Sequence, residues 1–311
     1  MKISVTSKRV LKLMGNRFEF TVISDSKEIG EKAIDMAIQE VRRIEDLLST
    51  YKETSQTSLI NRYAGIQPVK VDVEVVELIK RSIKISSITQ GAFDITYGSI
   101  DKRLWNFDTS MTALPDPKTA LKSVCLINYN NIIINAQNST VMLRHRGMRI
   151  GFGGIGKGYA ADRAKHILQT IGIKSGIVNA AGDLVTWGTQ IDGKSWTIGI
   201  ADPNQCDHLF SSLNISNMAI ATSGNYEKYI TINGKKYSHT IDPKTGLPVT
   251  GIKSVSIICP SAELADALAT PIMVMGIQVG LNMINQLQQV ACIIIDDADK
   301  LYTSKNINVK H

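Results

Sequence analysis

Apolar residues along this chain recur with two different periods, one typical of strands and one typical of helices. Phe18, Phe20 and Val22 alternate with polar positions, which is the period of a strand with one buried face. Residues 27–48 carry apolar side chains at helical spacing instead, so one stripe of that helix faces a core. The same reasoning predicts helices and strands along most of the chain.

Six helices and a larger number of strands follow from these patterns. The predicted helices span 27–48, 72–89, 116–123, 158–171, 262–275 and 278–288. Strands or strand-and-turn segments are predicted at 3–25 (two strands around Met14-Gly15), 131–135, 140–146, 176–187, 195–201, 208–221, 226–232, 236–241, 252–259, 291–295 and 300–303. Because strands come in runs as well as alternating with helices, we expect an α+β fold with antiparallel sheets and flanking helices. No linker or repeat divides the 311 residues, so we expect one compact unit, and two lobes remain an open alternative.

Composition narrows the functional classes. The formal net charge of +7 suits an anionic partner, either a polyanion or a small anionic substrate. No basic stripe with interleaved aromatic residues is present, which argues against nucleic-acid binding. The four cysteines are far apart and the five histidines are scattered, so a zinc ribbon, a disulfide scaffold or a histidine-rich metal site is not indicated. Any metal should therefore be a hard cation bound by oxygens.

The amino-terminal sequence bears on location. It contains no apolar region of a signal peptide, and no apolar run in the chain reaches the roughly 20 residues of a membrane span. A complete chain of this kind is expected to stay in the cytoplasm. If a leader has been removed, this expectation does not hold.

A glycine cluster at 151–158 partly matches two nucleotide-binding patterns. It satisfies G-x-G-x-x-G, but it lies mid-chain, and Asp183 is too far along to be the acidic residue of a dinucleotide-binding unit. It also approaches a P-loop, but Gly158 replaces the required Ser or Thr. What remains is either a tight turn before a helix or a pyrophosphate site, where backbone N–H groups and Lys157 would meet the phosphates.

Two further groups of polar residues are candidates for metal binding and proton transfer. Asp266 and Thr270 are four residues apart on a predicted helix, so a carboxylate and a hydroxyl on one face could share a magnesium ion. Alternatively, Asp266 interacts only with the dipole of its helix. His239 follows a predicted strand and could act as a general base, or it could be a structural histidine.

Short motifs occur along the chain in the order of a known family. They are Met14-Gly15, Ser49-Thr50-Tyr51 with Ser55 and Ser58–Asn61, Gly91–Thr96, Gly153–Ala160, Asn179–Asp183, Ala221–Gly224, Ser238–Gly246 and Ala265–Thr270. As a set they resemble the ApbE family of flavin transferases, the FAD:protein FMN transferases. The resemblance runs from about Leu11 to Ile295, so it implies a single ApbE-like domain over 1–311 with its core at about 11–295.

The resemblance implies a reaction and its participants. The FMN moiety of FAD would be transferred, with Mg²⁺, to a Thr or Ser hydroxyl of an acceptor flavoprotein, and AMP would be released. The acceptor would be a subunit of a respiratory redox pump or a related electron-transfer protein. The family also implies the periplasmic side of the inner membrane if a lipoprotein leader was removed. The oligomeric state is left open.

The resemblance also assigns roles to individual residues. His239, Asp266 and Lys157 would be catalytic, with His239 as the base and Lys157 near the phosphates. Magnesium would be held by the Gly154 carbonyl, Asp266, Thr270 and the backbone of Ala269. The remaining cofactor contacts would be Met14, Tyr51 (stacked on the flavin), Ala92, Phe93, Asp94, Gly151 and Thr240. Gly151 departs from the family, which often has Asp there.

Three other functions stay open. Attack by water in place of the acceptor would make the chain an FAD pyrophosphatase that gives FMN and AMP. The missing carboxylate at Gly151 leaves room for a protein that binds FAD without turnover. A nicotinamide dehydrogenase built on the glycine cluster is a more distant reading.

Overall fold

The computed structural model describes residues 4–101, 104, 113–201, 209–224, 229–232 and 234–307. Its helices are α1 (Lys27–Leu48), α2 (Gln56–Arg62), α3 (Val73–Ile88), α4 (Pro117–Ser123), α5 (Gly156–Thr170), α6 (Ala262–Met275) and α7 (Ile277–Ile284). Short 3₁₀ helices span Ile95–Ser99 and Tyr129–Asn131. The strands are β1 (Val5–Leu13), β2 (Asn16–Ser24), β3 (Val69–Lys70), β4 (Ile132–Asn135), β5 (Thr140–Leu143), β6 (Ser175–Ala180), β7 (Asp183–Trp187), β8 (Trp196–Ala201), β9 (Leu209–Ile215), β10 (Ala219–Gly224), β11 (Tyr229–Ile232), β12 (Lys235–Ser238), β13 (Ile252–Cys259), β14 (Ala291–Asp296) and β15 (Leu301–Thr303).

An eight-stranded antiparallel sheet organises the fold, in the order β1-β2-β6-β7-β10-β13-β14-β15. Its first hairpin turns at Met14 and Gly15, which have φ values of 50° and 75°. Two successive positive φ angles are typical of the two-residue turns that match the twist of antiparallel strands. The structure therefore confirms the predicted pair of strands around this dipeptide, and with it the α+β class.

The two faces of this sheet are covered by different elements. Helix α5 packs against both α1 and α6, and the three helices lie over one face of the sheet, with which they form the main core. On the other face, Trp196 and Ile198 of β8 pack on Leu184, Ile220 and other apolar residues of the sheet. Strands in the middle of the sheet are therefore buried on both sides, and all eight residues of β13 are buried although three of them are polar.

Helices α5 and α6 satisfy each other's first backbone N–H groups. The Asp162 carboxylate of α5 accepts hydrogen bonds from the Ala262 and Glu263 amides at the start of α6, at 3.1 and 3.0 Å. In return, the Asp266 carboxylate of α6 accepts from the Gly158 amide in the first turn of α5, at 3.0 Å. The amides of a first helical turn have no partner within their own helix, so this exchange fixes how the two helices meet.

Smaller elements complete the described structure. A three-stranded sheet of order β3-β5-β4 and the hairpin β11-β12 lie outside the main sheet. None of the helices in the described ranges has the length and apolar character needed to cross a bilayer.

Candidate active site

One cleft of about 970 Å³ brings together residues from distant parts of the sequence. The predicted site residues that line it are Ala92, Phe93, Asp94, Gly151, Gly154, Lys157, His239, Thr240, Asp266 and Thr270. Met14, Tyr51 and Ala269 are not among the residues that line it. The predicted roles of all these residues stay predictions, but the sequence motifs that carry them converge on one place.

The glycine turn before α5 is held by backbone and amide hydrogen bonds. The Asn61 side chain pairs with the backbone of Ile150, donating to its carbonyl at 2.9 Å and accepting from its N–H at 2.7 Å. The next residue, Gly151, donates its N–H to the Ile95 carbonyl at 2.8 Å. Phe152 is buried and its carbonyl accepts from the amides of Ile155 and Gly156. The turn therefore reaches the cleft in a fixed conformation.

Gly158 lies where α5 and α6 approach most closely. A Cβ atom at this position would be 2.1 Å from the Ala262 carbonyl oxygen and 2.9 Å from the Asp266 Cβ. Only glycine fits so close an approach of two backbones. This contact also explains why the sequence cannot be a P-loop here, since Ser or Thr would collide with the facing helix.

The first-turn amides of α5 hold a carboxylate of the protein itself. Both the Lys157 and the Gly158 backbone N–H groups donate to Asp266. Asp266 is buried, and the N-terminal end of a helix is a favourable place for a negative charge. As an alternative to metal binding, the sequence suggested only contact with the dipole of its own helix, α6, whereas the helix end that Asp266 meets in the structure belongs to α5.

Three charged groups meet at this helix end. The Lys157 ammonium forms an ion pair with Asp183, a buried residue that also accepts a hydrogen bond from the Thr222 backbone N–H. The pKa of Asp266 is raised to about 7, chiefly by burial and in addition by the negative charge of Asp183, while the Lys157 charge and the two backbone N–H groups oppose the rise. Burial likewise raises the pKa of Asp183, against the opposing effect of Lys157. Two desolvated carboxylates thus share one ammonium group.

The oxygen atoms in this part of the cleft suit a magnesium ion. Thr270 lies one helical turn after Asp266, and its hydroxyl is 3.0 Å from the Ser223 hydroxyl. Within the described ranges there is no group of three or more His, Cys, Asp or Glu side chains that could bind a metal. Magnesium does not need such a group, because it takes one or two carboxylates and leaves other positions to neutral oxygens, waters and phosphates. Asp266, Thr270 and the Gly154 carbonyl fit this donor set.

The opposite wall is built around Asp94. This buried carboxylate accepts hydrogen bonds from the Thr96 amide at 2.8 Å, the Thr96 hydroxyl at 2.6 Å and the Tyr129 amide at 2.8 Å. Burial raises the pKa of Asp94, while these donors oppose the rise. The Asp94 side chain therefore joins two loops of the protein, and it lines the cleft as part of that junction.

His239 follows β12 and is held near this wall by its neighbours in the chain. The Ile241 amide donates to the Tyr97 hydroxyl at 3.3 Å, and burial raises the pKa of Tyr97 to about 12. Thr240 is buried and its N–H donates to the Ser238 hydroxyl at 2.9 Å. His239 itself is exposed and lines the cleft.

Two predicted flavin contacts lie outside the cleft lining. Tyr51 is 94% exposed, next to Thr50, which does line the cleft. Met14 belongs to the β1–β2 turn and its side chain lies beside Gly156 at the start of α5. The stacking proposed for Tyr51 stays a prediction.

Several cleft residues were not among the predicted site residues. They are Asn16, Tyr97, Arg149, Thr222 and Ser223. Asp183 was not predicted either; it does not line the cleft itself but pairs with Lys157, which does. Asp183, Thr222 and Ser223 belong to motifs that the sequence comparison singled out, so the signal for them was present. Asp183 was considered only as the acid of a dinucleotide-binding unit, where it did not fit.

The raised pKa of Asp266 predicts how stability of the metal-free protein varies with pH. The pKa is about 7 in the folded protein against an ordinary value of 3.8, so folding retains a proton that the unfolded chain has lost. Raising the pH from about 4 to about 7 should therefore lower the free energy of unfolding, by at most about 1.4 kcal/mol per pH unit from this group. Denaturant titrations at several pH values in this range would measure the effect.

The matched control is Asp266→Asn. Glu40 and Glu74 have lowered pKa values and act in the opposite direction, so the difference between wild type and variant is the informative quantity. We expect Asp266→Asn to be the more stable protein by a margin that grows with pH. A margin that stays constant across this range would contradict the assignment.

Comparison with known proteins identifies the family. The sequence model of the ApbE family matches residues 14–294. A protein of Vibrio cholerae serotype O1 named FAD:protein FMN transferase is 30% identical over 290 residues, covering 91% of this chain and 85% of the relative. One of the same name from Klebsiella pneumoniae is 28% identical over 299 residues, covering 96% and 89%. The crystal structure of the ApbE protein of Thermotoga maritima has a TM-score of 0.86 at 29% identity, covering 97% of this chain and 98% of that one.

The fold, the cleft and these relatives define an enzyme of the transferase class. The chain belongs to the ApbE family. The single unit of mixed helices and antiparallel sheet that the sequence predicted is the architecture of that family's solved structures.

Proposed function

We propose that this protein transfers the FMN moiety of FAD to a Thr or Ser hydroxyl of an acceptor flavoprotein, with Mg²⁺ as the required ion and AMP as the second product. The observation that carries the proposal is the meeting of Lys157, His239, Asp266 and Thr270 in one cleft of a chain whose relatives are FAD:protein FMN transferases. The net charge of +7 favours an anionic substrate such as FAD.

The magnesium ion would be held by the Asp266 carboxylate, the Thr270 hydroxyl and the Gly154 carbonyl, with the Ala269 backbone close by. When bound, the ion neutralises phosphate charge and stabilises the leaving AMP. The backbone N–H groups of the first turn of α5 already donate to Asp266. The group of this turn that would bind the pyrophosphate is therefore the Lys157 ammonium. Lys157 also carries a positive charge into a partly buried position, where charge acts more strongly than in water.

His239 would move the proton of the reaction. Its exposed position on the cleft lets an acceptor hydroxyl approach it from solvent. His239 takes the proton of that hydroxyl, the oxygen attacks the FMN-side phosphorus, and the bond from that phosphorus to the bridging oxygen breaks. The products are a phosphoester-linked FMN and AMP. Phe93 and Ala92 supply apolar contacts on the same cleft for the flavin side of the substrate.

The acceptor is proposed to be a subunit of a respiratory redox pump or a related electron-transfer protein. This rests on the family resemblance. An acceptor must present its hydroxyl at the cleft opening beside His239, so we expect an accessible Thr or Ser on a loop of the partner.

The test is to incubate the protein with FAD in Mg²⁺ or in a chelator and to follow AMP by chromatography. The proposal predicts AMP only with Mg²⁺, and faster release when an acceptor is present. AMP together with free FMN, and no dependence on an acceptor, would identify a pyrophosphatase. Stoichiometric retention of intact FAD without AMP would show a binding protein, the alternative that Gly151 leaves open.

A further inference from the structure

The three charged groups at the start of α5 form one electrostatic unit with a net charge of −1 when all are ionised. The backbone N–H of Lys157 donates to Asp266, while its ammonium group pairs with Asp183. One residue therefore contacts both carboxylates through different atoms. The Lys157 charge also acts on Asp266, so the ammonium lies within electrostatic reach of both.

Asp183 is fixed by the main sheet and not by the helices that carry the other two groups. It begins β7, it is buried, and the Thr222 backbone N–H of neighbouring β10 donates to it. Its position on the ammonium is therefore set by backbone pairing between strands. It is not one of the residues to which the metal site was assigned above.

We propose that Asp183 is a positioning residue for the divalent cation: it holds the Lys157 ammonium on the sheet side of the cleft, which leaves the Asp266 carboxylate available to the metal. This inference rests on the proposed function, because it concerns the same cation site. It assigns to Asp183 an action through Lys157, and no direct contact with the ion.

The physical reason is competition for one carboxylate. Asp266 already accepts two backbone N–H groups, and the partly buried Lys157 ammonium, without the Asp183 charge, would be attracted to the nearest remaining anion. If Asp183 lost its charge, that anion would be Asp266. An arriving cation would then have to displace a like charge, and the unit would be neutral instead of negative. Both effects weaken cation binding.

Removing the ammonium group distinguishes this role of Asp183 from a purely structural one. In Lys157→Gln the competitor is absent and the unit carries a charge of −2, so cation binding should be at least as tight as in wild type. In Lys157→Gln combined with Asp183→Asn the unit returns to −1 with no ammonium to compete. The double variant should therefore recover the binding that Asp183→Asn alone loses.

The experiment measures Mn²⁺ binding to the flavin-free protein by calorimetry or electron paramagnetic resonance, with all variants at the same pH of about 8, well above the ordinary pKa of a carboxyl group. We expect Asp183→Asn to weaken Mn²⁺ binding at least about tenfold, the range seen for groups that orient metal ligands. The double variant should bind within about threefold of wild type, a difference of under about 1 kcal/mol. Circular dichroism would establish that each variant is folded.

Wild-type affinity in Asp183→Asn, or a double variant as weak as that single variant, would overturn the inference. If Asp183→Asn does not fold, Lys157→Gln and the double variant still test the inference. A loss of Mn²⁺ binding in either of them would overturn the inference. The variant Asp266→Asn distinguishes a failure of the proposed cation site from a failure of the role assigned to Asp183. Loss of Mn²⁺ binding there, with an unchanged Asp183→Asn, rejects only the inference. Full Mn²⁺ binding by Asp266→Asn rejects the proposed cation site itself, and the inference with it.

Discussion

Replacing Asp266 by Ala is expected to lower Mg²⁺-dependent AMP release from FAD at least about a hundredfold, because the substitution would remove the carboxylate proposed to hold the ion, and with it the charge stabilisation that the ion would supply as the phosphate bond breaks. Asp266 is the buried carboxylate that both first-turn amides of α5 orient towards the cleft. The rate would be measured by chromatography of AMP at saturating FAD, with the Mg²⁺ concentration varied. Added Mg²⁺ should not restore the rate.

Two control variants make this result specific. Asp266→Asn keeps an oxygen acceptor for the Gly158 amide and should lose activity to a similar extent, because it is the charge that the ion requires. Glu263→Ala removes another carboxylate from the same helix, one whose partner is Arg81 at 2.6 Å, and should leave AMP release close to wild type. An Asp266→Asn protein with wild-type rate and wild-type Mg²⁺ dependence would contradict the assignment of Asp266.

Gly158→Val is expected to lower the free energy of unfolding by at least about 3 kcal/mol, the upper part of the range for overpacked cores. Even its Cβ would lie 2.1 Å from the Ala262 carbonyl oxygen, which is backbone and cannot move aside without shifting α6. Separation of the two helices would also break the hydrogen bond from the Gly158 amide to Asp266. Denaturant unfolding followed by circular dichroism measures the change.

Gly153→Ala is the matched control, because it lies in the same glycine cluster but in open space. A Cβ there meets no atom within 4 Å, and the residue is exposed. Its stability should stay within about 0.5 kcal/mol of wild type, as for surface substitutions in general. Equal loss of stability in both variants would show that the cluster is sensitive as a whole and that the close contact with α6 is not the cause.

Long elements with a strong period were predictable from the sequence. The apolar stripe of 27–48 predicted α1 to the residue, and the alternation around Phe18 predicted β2. Helix α2 was missed, because seven residues are too few to show a period. Its start depends on Ser55, whose hydroxyl accepts from the Ser58 amide at 3.0 Å. The two-residue strand β3 was missed for the same reason.

The predicted ends of helices and strands differ from the observed ones where contacts between distant residues determine them. Helix α5 begins two residues earlier than predicted, because Asp266 supplies an acceptor for its first amides. That acceptor is more than a hundred residues away in sequence, so no local pattern reveals it. The predicted segment 226–232 includes residues 226–228, which lie outside the described part of the chain, and its end is seen as β11.

The sequence predicted most residues of the site, but not the contacts that hold them in place. Motif order identified residues that the structure gathers in one cleft, including His239, Asp266 and Thr270. The pairing of Lys157 with Asp183 was not predicted, because it joins a helix start to a strand start across the fold. The structural need for Gly158 was not visible either, since the sequence does not show which backbone faces it.

Mass spectrometry of a candidate acceptor flavoprotein, after incubation with this protein, FAD and Mg²⁺, tests the central claim most directly. The account predicts one Thr or Ser of the acceptor heavier by FMN less one water, an equal amount of AMP, and neither product in a chelator or with Asp266→Ala. An acceptor of unchanged mass, in a reaction where FAD stays intact or is merely hydrolysed to FMN and AMP, would contradict it.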